Sequence, residues 1–211
     1  RNSYVMAHDP TTLPAHLPVP HDDGAARHLL GASLPSLSLP STLGGTRAMS
    51  SLARAVVFLY PRTGVPGQPP HKGYAGEDWD DIPGARGCTP QSCGFRDLHT
   101  ELEAQGVEVL GLSTNSPAHQ AEAAARLGLR YALLSDESLA LTRVLHLPTF
   151  AFPVESGGPT TLLRRMVWYV EDATIAHVWY PAFPPQDSAQ LVLSWLRARR
   201  PEAPSHKPSV P

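Results

Sequence analysis

Apolar residues fall along the chain in two kinds of block: short unbroken runs, and longer stretches where they recur every three or four positions. The run "ARAVVFLYP", residues 53–61, is rich in valine and aromatics and closed by proline, which predicts a strand buried on both faces. "VEVLGLS", ending at Ser113, repeats the pattern, and "YALLSD", ending at Asp136, is a shorter version. Between the first two, "TPQSCGFRDLHTELEAQG" puts Phe95, Leu98 and Leu102 on one helical face. Thr89 is the expected cap, Pro90 suits the first turn and Gly106 ends the helix. "SPAHQAEAAARLG" opens on a Ser-Pro start signal and stops at Gly128, a second helix, and "SLALTRVLHL" predicts a third of about three turns.

The last third changes rhythm. "TLLRRMVWYV" (Thr161 to Val170) and "TIAHVWY" (Thr174 to Tyr180) read as two strands of a hairpin joined through "EDA". A terminal amphipathic helix follows in "QDSAQLVLSWLRARR", with Leu191, Leu193, Trp195 and Leu196 on or near one side. "LPTF", Leu147 to Phe150, is expected to close a helix and open a loop. Parallel crossover units that finish in an antiparallel hairpin and a closing helix predict an α/β fold, a mixed central sheet flanked by helices.

Proline, at 23 residues, marks the interruptions: residues 10–20, residues 61–70, and the tail from 200. The expected organisation is an N-terminal extension over 1–23, one domain over 24–198, and a disordered tail over 199–211. Residues 1–5 stand ahead of a plausible initiator, Met6, and are set aside from the fold reading. Within the domain, residues 62–87 form a loop longer than most connections, and such loops are usually functional or disordered. It carries Tyr74 and Trp79, apolar enough to cover a pocket, and the acidic run "EDWDD".

The formal net charge of -2 supplies no basic field to recruit nucleic acid or an anionic membrane surface. No window approaches a membrane span, and the first thirty residues hold no apolar stretch of signal-peptide length. The expectation is a soluble, cytoplasmic protein, with a monomer preferred because no surplus apolar stripe announces an interface. Ten histidines are scattered without ligand spacing, so no metal and no cofactor are assigned.

Both cysteines lie in "GARGCTPQSCGFRD". Two in a chain of this length do not make a structural staple. Cys88 falls where the helix begins, where backbone N–H groups lack partners and the macrodipole is positive, and both effects favour a thiolate. On an ideal helix Cys88 and Cys93 would have Cα atoms about 8–9 Å apart on different faces. A disulfide needs less than about 7 Å, so the pair could close only if the first turns unwind, which Gly94 makes cheaper. A bond of that kind is strained and easily reduced, as a catalytic cycle requires.

"GCTPQSCGFRD" resembles the active-site segment of peroxiredoxins of the bacterioferritin-comigratory, or Q, type, and the similarity continues through "VVFLYP", "VEVLGLSTNSPAHQ", "LLSDES" and "HVWY". The resemblance implies a thioredoxin-like fold, Cys88 as peroxidatic and Cys93 as resolving cysteine, hydroperoxides as substrates and a thioredoxin-type dithiol as reductant. "RMVWYVED" resembles the family's arginine-bearing strand and selects Arg165, while Arg164 should face the other way. The sequence departs from the pattern where the family has Thr or Ser three residues before the nucleophile. Position 85 is Ala, so the hydroxyl must come from elsewhere, with Thr63 as the candidate, or be missing. That departure and the acidic insertion leave a second reading open, a peroxide-sensing switch or regulatory binding protein with little turnover. A thioredoxin-like disulfide reductase is disfavoured, since that chemistry uses two intervening residues and this chain has four.

Overall fold

The computed structural model describes residues 9–199. The expected tail falls outside the described residues except for Arg199, as do the first eight residues of the extension. The central sheet has five strands: β3 (Arg54–Leu59), β4 (Glu108–Ser113), β5 (Ala132–Ser135), β8 (Met166–Glu171) and β9 (Thr174–Trp179). Their order is β5-β4-β3-β8-β9; β4 runs parallel to β3 and β5, and β8 antiparallel to β3 and β9. The mixed sheet read from the sequence is therefore present.

The unbroken apolar runs are explained by two cores. Val56, Phe58 and Tyr60 point into one, with Phe95, Val192 and Leu196, and Ala55, Val57 and Leu59 into the other, with Leu29, Met49, Leu141 and Trp168. Three helices cover the first core: α1 (Cys88–Asp97), α2 (His99–Ala104) and α5 (Ser188–Ala198). The second lies under α4 (Ala140–Leu145), residues 26–34, and the small hairpin of β1 (Ser38–Pro40) and β2 (Thr46–Ala48). The remaining helix, α3 (Pro117–Leu127), begins and ends as expected: Ser116 Oγ accepts from the His119 amide, Pro117 stands at N1, and Gly128 closes it in the left-handed region.

Several expectations are corrected. The helix placed over 89–106 is two helices with a break at Leu98, and it starts one residue earlier, at Cys88; Thr89 is buried inside it and caps nothing. The helix over 138–147 is only six residues long. Its start is fixed by Asp136, whose carboxylate accepts from the amides of Leu141 (3.0 Å) and Thr142 (2.8 Å) and from the Thr142 hydroxyl (2.6 Å). "LPTF" opens no loop: Thr149–Ala151 is a strand, β6, paired antiparallel with β7 (Thr161–Leu163). The strand expected over 161–170 is consequently two, parted at Arg164 and Arg165, because the Arg164 amide donates to Pro148 O and draws the first half to β6. In α5 the buried face is Ala189, Val192, Leu193 and Leu196, while Leu191 is exposed.

The seating of α1 on the sheet depends on a missing side chain in β4. Phe58 stacks on Phe95 of α1 with centroids 4.6 Å apart, and a Cβ at Gly111 would lie 2.9 Å from Phe58 Cζ and 2.5 Å from Leu133 Cδ2. Gly111→Ala is expected to destabilise the fold by about 1–3 kcal/mol through overpacking, read as a lower urea midpoint at unchanged m-value.

Candidate active site

Helix α1 begins abruptly. Gly87, its N-cap, has φ +115°, and a Cβ there would overlap the side chain of Pro185, so glycine is required by backbone and by neighbour alike. The first intrahelical bond runs from the Gln91 amide to Gly87 O at 3.0 Å. Cys88 therefore occupies the first helical position, where amides lack intrahelical partners and the helix dipole has its positive end. Its side chain is buried among Tyr60 and Phe95, yet it lines a cavity of about 130 Å³.

Arg165, at the break between β7 and β8, turns inward and is only 3 % exposed. Its Nη2 donates to Cys88 Sγ at 3.1 Å and to Ala85 O at 3.0 Å, its Nη1 to Gln91 Oε1 at 2.6 Å, and its Nε to Gly84 O at 3.3 Å. No carboxylate of the described residues pairs with it within 4.0 Å. The sulfur is thus the one contact of this guanidinium able to carry a negative charge. Arg164 does face elsewhere, its guanidinium 5.6 Å from the centre of the Phe150 ring.

Gln91 escaped the sequence reading. It is fully buried, accepts from Arg165 and donates Nε2–H to Ser188 Oγ at 3.1 Å, tying α1 to the start of α5. The available signal was its place three residues after Cys88 on the same face of the helix.

Position 85 offers the site only its backbone carbonyl, an acceptor that cannot stand in for a hydroxyl donor. Ala85 is buried against Trp79, Phe152 and Leu162, and its carbonyl oxygen receives Arg165 and lies 3.7 Å from Cys88 Sγ. Thr63, the candidate hydroxyl, lines the same cavity, but its Oγ1 lies 3.1 Å from His119 Nε2 and makes no hydrogen bond to Cys88. The cavity is also lined by Ser156, whose Oγ accepts from Arg62, and by Thr89, whose Oγ1 is buried without a hydrogen-bond partner.

The insertion is ordered over the site. Trp79 is buried edge-to-face on Phe152, with centroids 5.2 Å apart, and both line the cavity; Tyr74 is exposed and does not. The acidic run is partly spent within the loop, Asp80 pairing with Arg86 at 3.1 Å and Asp78 with Lys72 at 2.6 Å. Arg86 also donates to Asp9 O and Thr12 O, which holds the N-terminal segment here and brings Pro10 to the cavity wall.

Cys93 lies one and a half turns further along α1, half-buried, with a thiol pushed up by burial and partly offset by Arg96. Both cysteines are free thiols. Among the described residues no group of three or more His, Cys, Asp or Glu could hold a metal ion, and no helix is long and apolar enough to cross a membrane.

Residues 82–166 match the AhpC/TSA family. The peroxiredoxin Bcp of Escherichia coli K12 is 28 % identical over 170 residues, 79 % of this chain and 94 % of that protein. The chloroplastic peroxiredoxin Q of Gentiana triflora is 29 % identical over 119 residues, so the match covers 56 % of this chain and about half, 51 %, of that relative. Among solved structures, a peroxidoxin BcpB from Mycobacterium tuberculosis superposes with a TM-score of 0.61 at 24 % identity, covering 82 % of this chain and 98 % of that one. Peroxiredoxin Q from Xanthomonas campestris gives 0.56 at 21 % identity, over 79 % and 95 %. The fold is the thioredoxin-like one of these neighbours.

The geometry at Cys88 makes a prediction independent of any substrate. Arg165→Gln removes the cation beside the sulfur, and alkylation of Cys88 by iodoacetamide at neutral pH should slow by about 30- to 1000-fold, the rate equivalent of about 2–4 kcal/mol. Alkylation is measured by mass spectrometry on a protein whose near-UV circular dichroism matches the parent.

Proposed function

The chain carries an AhpC/TSA-family domain with peroxiredoxin Bcp and peroxiredoxin Q as homologues, and on that premise we propose that it is a thiol-dependent peroxidase with Cys88 as nucleophile, Cys93 as resolving thiol and Arg165 as electrostatic partner. One observation carries the reading: a buried guanidinium 3.1 Å from a sulfur at a helix N-terminus, at the wall of a cavity.

The chemistry balances as follows. The Cys88 thiolate attacks one peroxide oxygen, the O–O bond breaks, and the alkoxide or hydroxide leaves and takes a proton; sulfur is oxidised to sulfenic acid. The Cys93 thiol then displaces hydroxide from that sulfenic acid, giving a disulfide and water. A thioredoxin-type dithiol reduces the disulfide by exchange and is itself oxidised. Arg165 stabilises the thiolate and, through its positive charge, the charge that develops on the departing oxygen.

Disulfide formation requires α1 to loosen, since its cysteines share one continuous helix. Phe95 stays pinned on Phe58, which confines the loosening to the turns before it, and those turns include Gln91. Oxidation of Cys88 thus breaks into the same hydrogen-bond set that held the reduced form. The proposed unit is the domain over 24–198 with insertion 62–87, acting as a monomer, with residues 9–23 contributing to the cavity wall through Pro10.

Reduced protein mixed with hydrogen peroxide should show a single-turnover change in tryptophan fluorescence, because Trp79 stands in the cavity wall. The rate should exceed that of free cysteine by orders of magnitude; a rate near free thiol sinks the proposal. Cys93→Ser should keep this first oxidation and accumulate sulfenic acid, trapped by dimedone and seen by mass spectrometry. Fast oxidation that a thioredoxin system cannot reverse would favour the sensing switch over the enzyme.

A further inference from the structure

The cavity at Cys88 is larger than hydrogen peroxide needs and is charged on one side. About 130 Å³ is close to the roughly 150 Å³ of an engineered cavity that binds benzene, so a two-oxygen substrate would leave most of it unfilled. Trp79, Phe152, Val65 and Pro69 supply an apolar lining. Arg62, which follows β3 and Pro61, lies in the same lining.

The cations around this cavity differ in how they are neutralised. Arg86 is paired with Asp80 and bonded to two carbonyl oxygens. Arg165 faces the sulfur and three acceptors at 3.3 Å or less. His119 is held toward its neutral form by burial and by the charge of Arg62 beside it. His71 turns Nδ1 to Lys72 O. Arg62 differs from all of these: it is half-buried, burial opposes its charge, and its one side-chain bond is a long 3.3 Å contact from Nη1 to Ser156 Oγ. No carboxylate of the described residues lies within 4.0 Å of it. The guanidinium lies against Gly158, where a Cβ would overlap it. A partly desolvated guanidinium without a counter-ion is a ready partner for a carboxylate, which its planar fork matches in two bonds.

We propose that the Cys88 cavity takes organic hydroperoxides that carry a carboxylate, with the apolar body against the wall that Trp79 and Phe152 form and the carboxylate on Arg62. This rests on the peroxidase reading and adds a substrate class to it. Arg62 is then a specificity residue: it touches the end of the substrate remote from the O–O bond and contributes to discrimination between acids and neutral analogues.

The test compares 4-carboxycumene hydroperoxide with its methyl ester, which differ only in charge, using single-turnover oxidation of the reduced protein so that no reductant need be known. The acid should react about tenfold faster than the ester, the scale of one charge-assisted bond, and the advantage should shrink as salt is raised. In Arg62→Gln the acid-to-ester ratio should fall to about one, and in Arg62→Lys it should recover in part. Equal rates for acid and ester in the parent protein, or a ratio that Arg62→Gln leaves unchanged, would overturn the inference. Hydrogen peroxide run alongside separates the two levels: fast oxidation by it with no acid preference removes only the substrate class, whereas slow oxidation by every peroxide removes the peroxidase reading and this inference with it.

Discussion

A guanidinium without a carboxylate partner in the protein interior sets the terms for everything around it. Taking a charge out of water costs several kcal/mol unless polar groups replace the water, and at Arg165 those groups are the carbonyl oxygens of Gly84, Ala85 and, at 3.4 Å, Arg86, the Gln91 amide oxygen and one sulfur. The carbonyl and amide oxygens are dipoles. Sulfur is the one contact of this guanidinium that is not an oxygen dipole, which is why the proposed chemistry is placed there. Arginine suits this place better than lysine would, because its fork reaches Gln91, the 84–85 backbone and the sulfur together.

The topology delivers that arrangement by failing to be regular. Had residues 161–170 formed one strand, Arg165 would have stood in alternation with its neighbours on the sheet. The pairing of β7 with β6 breaks the strand there and frees Arg165 to turn into the space under the insertion. From the other side, Gly87 adopts a backbone shape that starts α1 without a preceding turn, and the carbonyl groups of residues 84 and 85 are left facing the arginine. The insertion belongs to the same structure: Trp79 packs with Ala85 and Phe152, so the loop fixes the peptide that receives Arg165.

The sheet was legible in the sequence because burial on both faces leaves unbroken apolar runs, and β3, β4 and β5 are such runs. The place of Cys88 at a helix start was legible too, and a resemblance singled out Arg165, which the fold brings to 3.1 Å from its sulfur. What did not show was whatever depended on contacts between distant segments. The break at Arg164 is made by a hydrogen bond to Pro148, and the short α4 by a carboxylate that precedes it, neither of which alters periodicity. Thr89 looked like a cap because threonine at that position usually is one; Gly87 took the role because only glycine fits against Pro185. Gln91 and Arg62 carry no pattern at all, since what marks them is a partner in one case and the lack of one in the other.

These same contacts pose a conflict that the chemistry must resolve. The hydrogen bonds of Gln91 to Arg165 and to Ser188 brace the turn that the proposed disulfide with Cys93 would have to open. In the proposed cycle oxidation would itself lower the cost of opening, since a neutral sulfenic acid would no longer answer the charge of Arg165. Tyr131 donates to the carbonyl of Ser92 at 2.7 Å and Phe95 lies on Phe58, so the helix beyond the second cysteine stays anchored while the first turns give way. In the proposed cycle, charge on one sulfur would thus decide between a compact helix that attacks and a loosened one that resolves.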